Sequence, residues 1–183
     1  MDQDPRPDAA TPVAAILHDG RSDVDALLRR FAEGQREAGR KVSGLLMTHR
    51  ERGPGCQDDL VLTDIETGDE YLVSQRLGQD SKACKADPQG FARASRVLRD
   101  ALERQPDLVV CNRFGALEAE NGGFVAELLA LLERGIPVLT VVTPRYLQAW
   151  QRFVGEGSLL PVDLEACAAW LEGVRRHRSA PGA

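Results

Sequence analysis

Asp107-Leu108-Val109-Val110-Cys111-Asn112-Arg113-Phe114-Gly115-Ala116-Leu117-Glu118 is the stretch on which the reading of this chain turns. Leu108 to Cys111 is a continuous apolar run of strand length. It lacks the alternation of a half-buried strand, so it fits the middle of a parallel sheet covered on both faces. The run ends abruptly in Asn112-Arg113, which is polar and basic. In an open α/β sheet, ligands bind beyond the carboxyl ends of the strands. This junction is therefore the first candidate for a site. An arginine here points to direct capture of an anion, because its planar fork matches an oxyanion without a metal between them.

The same pattern extends outward in both directions. Pro88 fits the first turn of a helix whose buried side is Phe91, Ala92, Ala94, Leu98 and Leu102. Gly122-Gly123 breaks the chain before a helix from Phe124 to Arg134, which Gly135 ends. Ile136 to Val142 is a second uninterrupted apolar strand. Pro144 begins a helix through Phe153, and a last helix spans Leu164 to Arg176. Near the start, Pro12 to Leu17 reads as a strand and His18-Asp-Gly-Arg-Ser22 as a glycine turn. Asp23 is suited to cap the next helix, because its carboxylate can accept from free backbone N–H groups. Leu27, Leu28 and Phe31 carry that helix to about Ala38, and Gly39 stops it. Val42 to Thr48 is a strand. Residues 50–58 form a loop, since Gly53-Pro54-Gly55 cannot continue regular structure. Leu60–Ile65 and Tyr71–Val73 flank Glu66 to Glu70 as a β-hairpin, and Gln79 to Asp87 is a polar loop.

Alternating strands and helices predict an α/β fold: a doubly wound, mainly parallel sheet with a β-hairpin addition. Residues 12–177 form one domain in this reading, with disordered tails at 1–11 and 178–183. The 183 residues suffice for one core. A net charge of -5 argues against a general nucleic-acid or membrane-surface binder. No apolar run approaches the roughly 20 residues of a membrane span. The acidic, proline-rich start lacks the features of a signal peptide, so a cytoplasmic location is expected. The four cysteines, Cys56, Cys84, Cys111 and Cys167, include no CxxC pair, and no metal site is assigned. Cys111 and Cys167 read as small core residues.

Right-handed crossovers bring three strand ends to one edge. They offer Gly20, Arg21 and Ser22, then Asn112 and Arg113, then Thr143 and Arg145, beside helix N-termini that attract anions. Lys82 and Lys85, which flank Cys84, complete the candidate anion-binding set; no catalytic residue is assigned. Each residue has a plainer reading. Arg21 and Arg145 suit solvated loops, His18 suits an ordinary loop histidine, and Glu118 could neutralise Arg113. Two lysines beside Cys84 would lower a thiol pKa, or simply form a solvated basic loop.

The order of pieces resembles a small P-loop nucleoside-triphosphatase family from thermophilic archaea and bacteria. The resemblance rests on Leu27-Leu28-Arg29-Arg30, on the Asp-Leu-Val-Val strand at 107–110 and on Glu66-Thr67-Gly68. It implies a phosphate-binding Gly-Lys-Thr where this chain has Asp23-Val24-Asp25, and an acidic pair where it has Asn112-Arg113. Lysine and magnesium stabilise most of the charge in phosphoryl transfer, so ordinary triphosphate hydrolysis is not expected. The chain more closely resembles an uncharacterised bacterial family of degenerate P-loop proteins. These carry Asn-Arg-Phe-Gly-x-x-Glu followed by Gly-Gly, as at 112–118 and 122–123, with similarity also at Cys84-Lys-Ala-Asp-Pro88 and Trp150. That family is often encoded beside molybdate-uptake genes. The resemblance implies a non-hydrolytic oxyanion-binding protein for molybdate or tungstate. The alternatives are a divergent nucleotide-binding hydrolase or phosphotransferase using Asp23, Asp25 or Glu118 for magnesium, and an interaction protein with a retired site. Base rates for a protein of this size add a homo-oligomer.

Overall fold

A computed structural model describes residues 11–51, 58–76 and 84–179. The order of elements is β1 (Val13–Leu17), α1 (Val24–Glu37), β2 (Val42–Arg50), β3 (Asp59–Asp64), β4 (Glu70–Leu72), β5 (Ser74–Arg76), β6 (Cys84–Ala86), α2 (Pro88–Arg104), β7 (Leu108–Phe114), α3 (Ala116–Ala119), α4 (Val125–Glu133), β8 (Val138–Val142), a 3-10 turn (Pro144–Tyr146), α5 (Leu147–Val154), β9 (Ser158–Leu160) and α6 (Leu164–Ser179).

Seven strands form one sheet in the order β4-β3-β2-β7-β8-β1-β9. The five strands from β2 to β9 are parallel, and β3 and β4 add the antiparallel hairpin at one edge. This is the doubly wound, mainly parallel α/β sheet with a hairpin that the sequence predicts. Its two faces bury separate cores. Val109, Cys111 and Val138 face Ala94, Leu98, Leu128, Leu131 and Trp150 of α2, α4 and α5. Leu108, Val110, Leu139 and Val141 face Leu28 and Phe31 of α1 and Leu171 and Val174 of α6. Successive residues of one strand thus bury on opposite sides, which is why these strands read as unbroken apolar runs. Cys111 and Cys167 are both core residues, as expected.

The helix starts follow the sequence signals. Asp23 accepts from the Ala26 N–H at the head of α1, and Asp87 accepts from the Gln89 N–H ahead of Pro88. Gly44 in β2 has a backbone φ of +124°, and a Cβ there would lie 2.0 Å from the Val110 carbonyl oxygen of the neighbouring strand. Only glycine permits that close approach.

Four expectations are corrected. The strand at 108 does not end at Cys111 but runs through Phe114, so Asn112 and Arg113 are strand residues. Residues 84–86, placed in a polar loop, pair as β6 with β5. The helix expected from Pro144 begins as one 3-10 turn and becomes α-helical only at Leu147. The last helix continues through Ser179, past the point where a tail was expected. Finally, α3 and β9 were not foreseen; each is only three or four residues long, too short to show a periodicity.

Candidate functional site

β7 reaches the carboxyl edge of the sheet through an irregularity. Cys111 pairs with Thr140 of β8, but Phe114, three residues later, pairs with Val142, two residues later. One extra residue is thus accommodated on β7. A bulge of this kind re-aims side chains and is common beside functional sites. The Thr140 hydroxyl donates to the Cys111 carbonyl at 2.5 Å where the irregularity begins. The Asn112–Arg113 peptide is cis.

The two side chains released by this bulge meet the first turn of α1. Asn112 is buried and donates from Nδ2 to Asp25 Oδ1 at 2.8 Å. Arg113 donates from Nη2 to both Asp25 oxygens, at 3.2 and 3.4 Å. His49 of β2 approaches the same carboxylate, with Nε2 4.0 Å from Oδ2. Two neighbouring parallel strands, β2 and β7, thus converge on one acid near the head of α1. Asp25 and Arg113 are each about a quarter exposed, at 23% and 28% of the side chain. The pair is partly desolvated and therefore stronger than a surface ion pair.

Three polar atoms at this edge lack a hydrogen-bond partner among the described residues: His18 Nδ1, Asn112 Oδ1 and Arg113 Nε. Leu17 and Phe114 both pair with Val142, so the ends of β1, β7 and β8 lie level. Buried polar atoms are nearly always satisfied, and these three lie at the ends of β1 and β7, on either side of β8.

Glu118 has a different task from the one its sequence position suggested. It does not neutralise Arg113, whose partner is Asp25. Its buried carboxylate accepts from the Gly115 N–H at 3.0 Å and the Phe124 N–H at 3.2 Å. Burial pushes its carboxyl above the usual range, against the opposing pull of those backbone donors. Gly123, with a φ of +57°, passes so close that a Cβ would stand 2.0 Å from Glu118 Oε1. Asn112-Arg113, Gly115, Glu118 and Gly122-Gly123 therefore form one local unit. The glycine admits the carboxylate, and the carboxylate ties the loop after β7 to the head of α4.

The remaining expected residues divide. Gly20 takes a φ of +85° in the turn after β1, as a glycine turn requires. Arg21 is 88% exposed and pairs with Asp19 of its own turn, the solvated role open to it from the start. Ser22 is exposed, and its carbonyl accepts from the Val24 N–H. Thr143 is half-buried at the end of β8. Arg145 is exposed and stacks on Tyr146, its guanidinium carbon 5.3 Å from the ring centroid. Lys85 lies in the middle of β6, in register with Gln75. Lys82 and Cys56 lie outside the described residues. Asn112 and Arg113 thus share Asp25, while Gly20, Arg21, Ser22, Thr143 and Arg145 lie after β1 and β8 at the same sheet edge. Asp25 and His49 join this cluster, and the sequence reading did not include them in its anion-binding set. A second acid two residues after the Asp23 cap was the available signal.

The geometry bears on the alternatives. Val24, where a phosphate-binding lysine would stand, is 2% exposed and packs in the α1 core. Asp23 is occupied as a helix cap, Asp25 with Asn112 and Arg113, and Glu118 with two backbone N–H groups. No group of three metal-ligating side chains occurs among the described residues. No helix among them is long and apolar enough to cross a membrane.

The fold matches that of one solved nucleoside triphosphatase. The solution structure of a human cancer-related nucleoside triphosphatase superposes on this chain with a TM-score of 0.63 and 16% identity, covering 93% of this chain and 98% of that one. In sequence, the chain is 37% identical over 159 residues to the molybdenum import ATP-binding protein ModC 2 of Bradyrhizobium diazoefficiens (strain JCM 10833 / BCRC 13528 / IAM 13628 / NBRC 14792 / USDA 110). That match takes in 86% of this chain but spans only 18% of the relative's length. A family model covers residues 13–170, and the chain belongs to that family, described as "Protein of unknown function (DUF2478)".

Proposed function

We propose that this chain binds a tetrahedral oxyanion, molybdate or tungstate, at the carboxyl edge of its sheet and does not hydrolyse nucleotides. The observation that carries this reading is Arg113. Its Nη2 is held by Asp25, while its buried Nε has no partner among the described residues. A guanidinium has five donors in a fixed fork, so the ion pair orients Arg113 without exhausting it. The turn from Gly20 to Ser22 and Thr143 at the end of β8 supply further donors close by, with Arg145 beyond them. Lys82 and Lys85 complete the proposed set.

Loss of hydrolysis follows from chemistry. Val24 cannot stabilise a β,γ-phosphate charge, and Asn112-Arg113 cannot hold magnesium as an acidic pair would. The choice of molybdate or tungstate rests on the ModC-named relative, whose printed role is molybdenum import. Nucleotide is the competing ligand, because the fold resembles that of a solved nucleoside triphosphatase.

The test is calorimetric titration and thermal shift with molybdate, tungstate, sulfate, phosphate, and ATP or GTP with and without magnesium. A ligand that binds only the folded state raises Tm by mass action. Molybdate and tungstate are expected to raise it. Arg113→Ala is expected to weaken their binding at least 100-fold, since a charge-assisted contact contributes about 1.5–3 kcal/mol and the site loses its central charge as well. A shift with nucleotide and magnesium alone would replace this reading with the nucleotide one.

A further inference from the structure

A cavity of about 410 Å³ opens at the opposite, amino edge of the sheet. Val42, the first residue of β2, and Pro106, which precedes β7, form its floor. Its charged lining is Arg36, Arg40, Lys41 and Arg104, with Glu66 as the one acid. No aromatic side chain lines it. None of these residues belongs to the site at the carboxyl edge.

The simplest reason for arginines here is that α1 and α2 end at this edge, and cations favour helix C-termini. Magnitude decides against that as the whole account. Each helix end carries roughly half a negative charge, so two ends supply about -1. Glu66 supplies another, against four lining cations. Glu172 pairs with Arg40, but it is shared with Arg175, and Asp100 stands 3.7 Å from Arg104. Arg36 and Lys41 have no carboxylate partner among the described residues.

The guanidinium groups are also held in place. Arg36 donates to the Ile65 carbonyl at 2.8 Å, Arg40 is fixed by Gln35 and Glu172, and Arg104 by Glu66. The Ser43 hydroxyl also donates to Glu66. Lys41 is exposed at the rim, its backbone N–H accepted by Asp107. Fixed guanidinium forks with one exposed ammonium at the rim suit phosphate oxygens. No aromatic side chain in the lining offers a platform for a base.

We infer that this cavity, at the junction of Arg36, Arg40, Lys41 and Arg104, is a second ligand site for a compact phosphate-bearing polyanion. Two sites on opposite edges of one sheet would let a phosphorylated small molecule and the edge oxyanion occupy the protein together.

The test is titration of the intact protein with inorganic pyrophosphate, with citrate as a polyanion lacking phosphate. Pyrophosphate is expected to bind, with affinity falling steeply as salt is raised. Lys41→Glu is expected to weaken it at least tenfold, and its exposed position leaves the fold intact. Arg36→Ala is expected to act in the same direction, whereas Arg113→Ala should leave pyrophosphate binding unchanged. Loss of binding in Arg113→Ala with retention in Lys41→Glu would move the ligand to the carboxyl edge and overturn the inference. So would citrate binding as tightly as pyrophosphate, or no pyrophosphate binding at all. A failure of molybdate binding leaves these outcomes readable, since the two sites share no residue.

Discussion

Gly123→Ala is expected to destabilise the protein by about 3–8 kcal/mol and to weaken ligand binding at the carboxyl edge. Two effects add. Alanine at a φ of +57° costs roughly 1–2 kcal/mol in the left-handed region. The new Cβ would also stand 2.0 Å from Glu118 Oε1, so the carboxylate must leave. The Gly115 and Phe124 N–H groups then lose their acceptor, at about 1–3 kcal/mol for each one left buried. A domain with 5–15 kcal/mol of total stability would lose a large share. Chemical denaturation of both proteins measures it. Glu118→Ala in the Gly123→Ala background separates the causes: most of the clash disappears, so the second substitution should add far less than it costs alone. A loss below about 1 kcal/mol for Gly123→Ala would mean that the carboxylate relocates freely, and the loop after β7 would then not depend on it.

The sequence made the frame legible because the frame is local or periodic. β8 is an uninterrupted apolar run, Asp23 precedes an apolar helical stripe, and Glu66 to Glu70 separate two strand-like segments. Each is recognisable within a window shorter than the element it predicts. The site was legible only as a location. Asn112-Arg113 stood out because a basic residue directly follows a buried strand. What it touches was not readable, since the candidate partner five residues away, Glu118, competed with one 88 residues away, Asp25. Sequence proximity favours the first. The structure selects the second, because an extra residue in β7 turns Arg113 toward α1 and leaves Glu118 to the backbone. That extra residue is defined only by register with β8, so β7 alone could not reveal it. The hydrogen bonds of Glu118 were hidden because both donors are main-chain groups, which carry no residue identity.

Asp25→Asn is expected to lower stability and raise anion affinity at once, a combination that separates a ligand site from a purely structural ion pair. Asp25 now gives Arg113 a counter-charge at 3.2 Å. Two unit charges 4 Å apart near a protein surface interact by about 4 kcal/mol. A carboxylate beside Arg113 therefore repels an incoming dianion strongly enough to set its affinity. Asparagine keeps the size of Asp25 and an oxygen that can accept from Asn112 or Arg113, but removes the charge. Stability should fall by about 1–3 kcal/mol, less than for a fully buried pair because both side chains are about a quarter exposed. Molybdate or tungstate affinity should rise about tenfold, equivalent to roughly 1.4 kcal/mol. Paired denaturation and calorimetric titrations read both quantities on the same protein. If affinity instead falls with stability, Asp25 is needed to orient the guanidinium and its repulsion of the ligand is the smaller effect. If stability falls and no oxyanion binds either protein, the convergence of Asn112, Arg113 and His49 on Asp25 serves to join β7 and β2 to the head of α1, and the ligand site lies elsewhere on the fold.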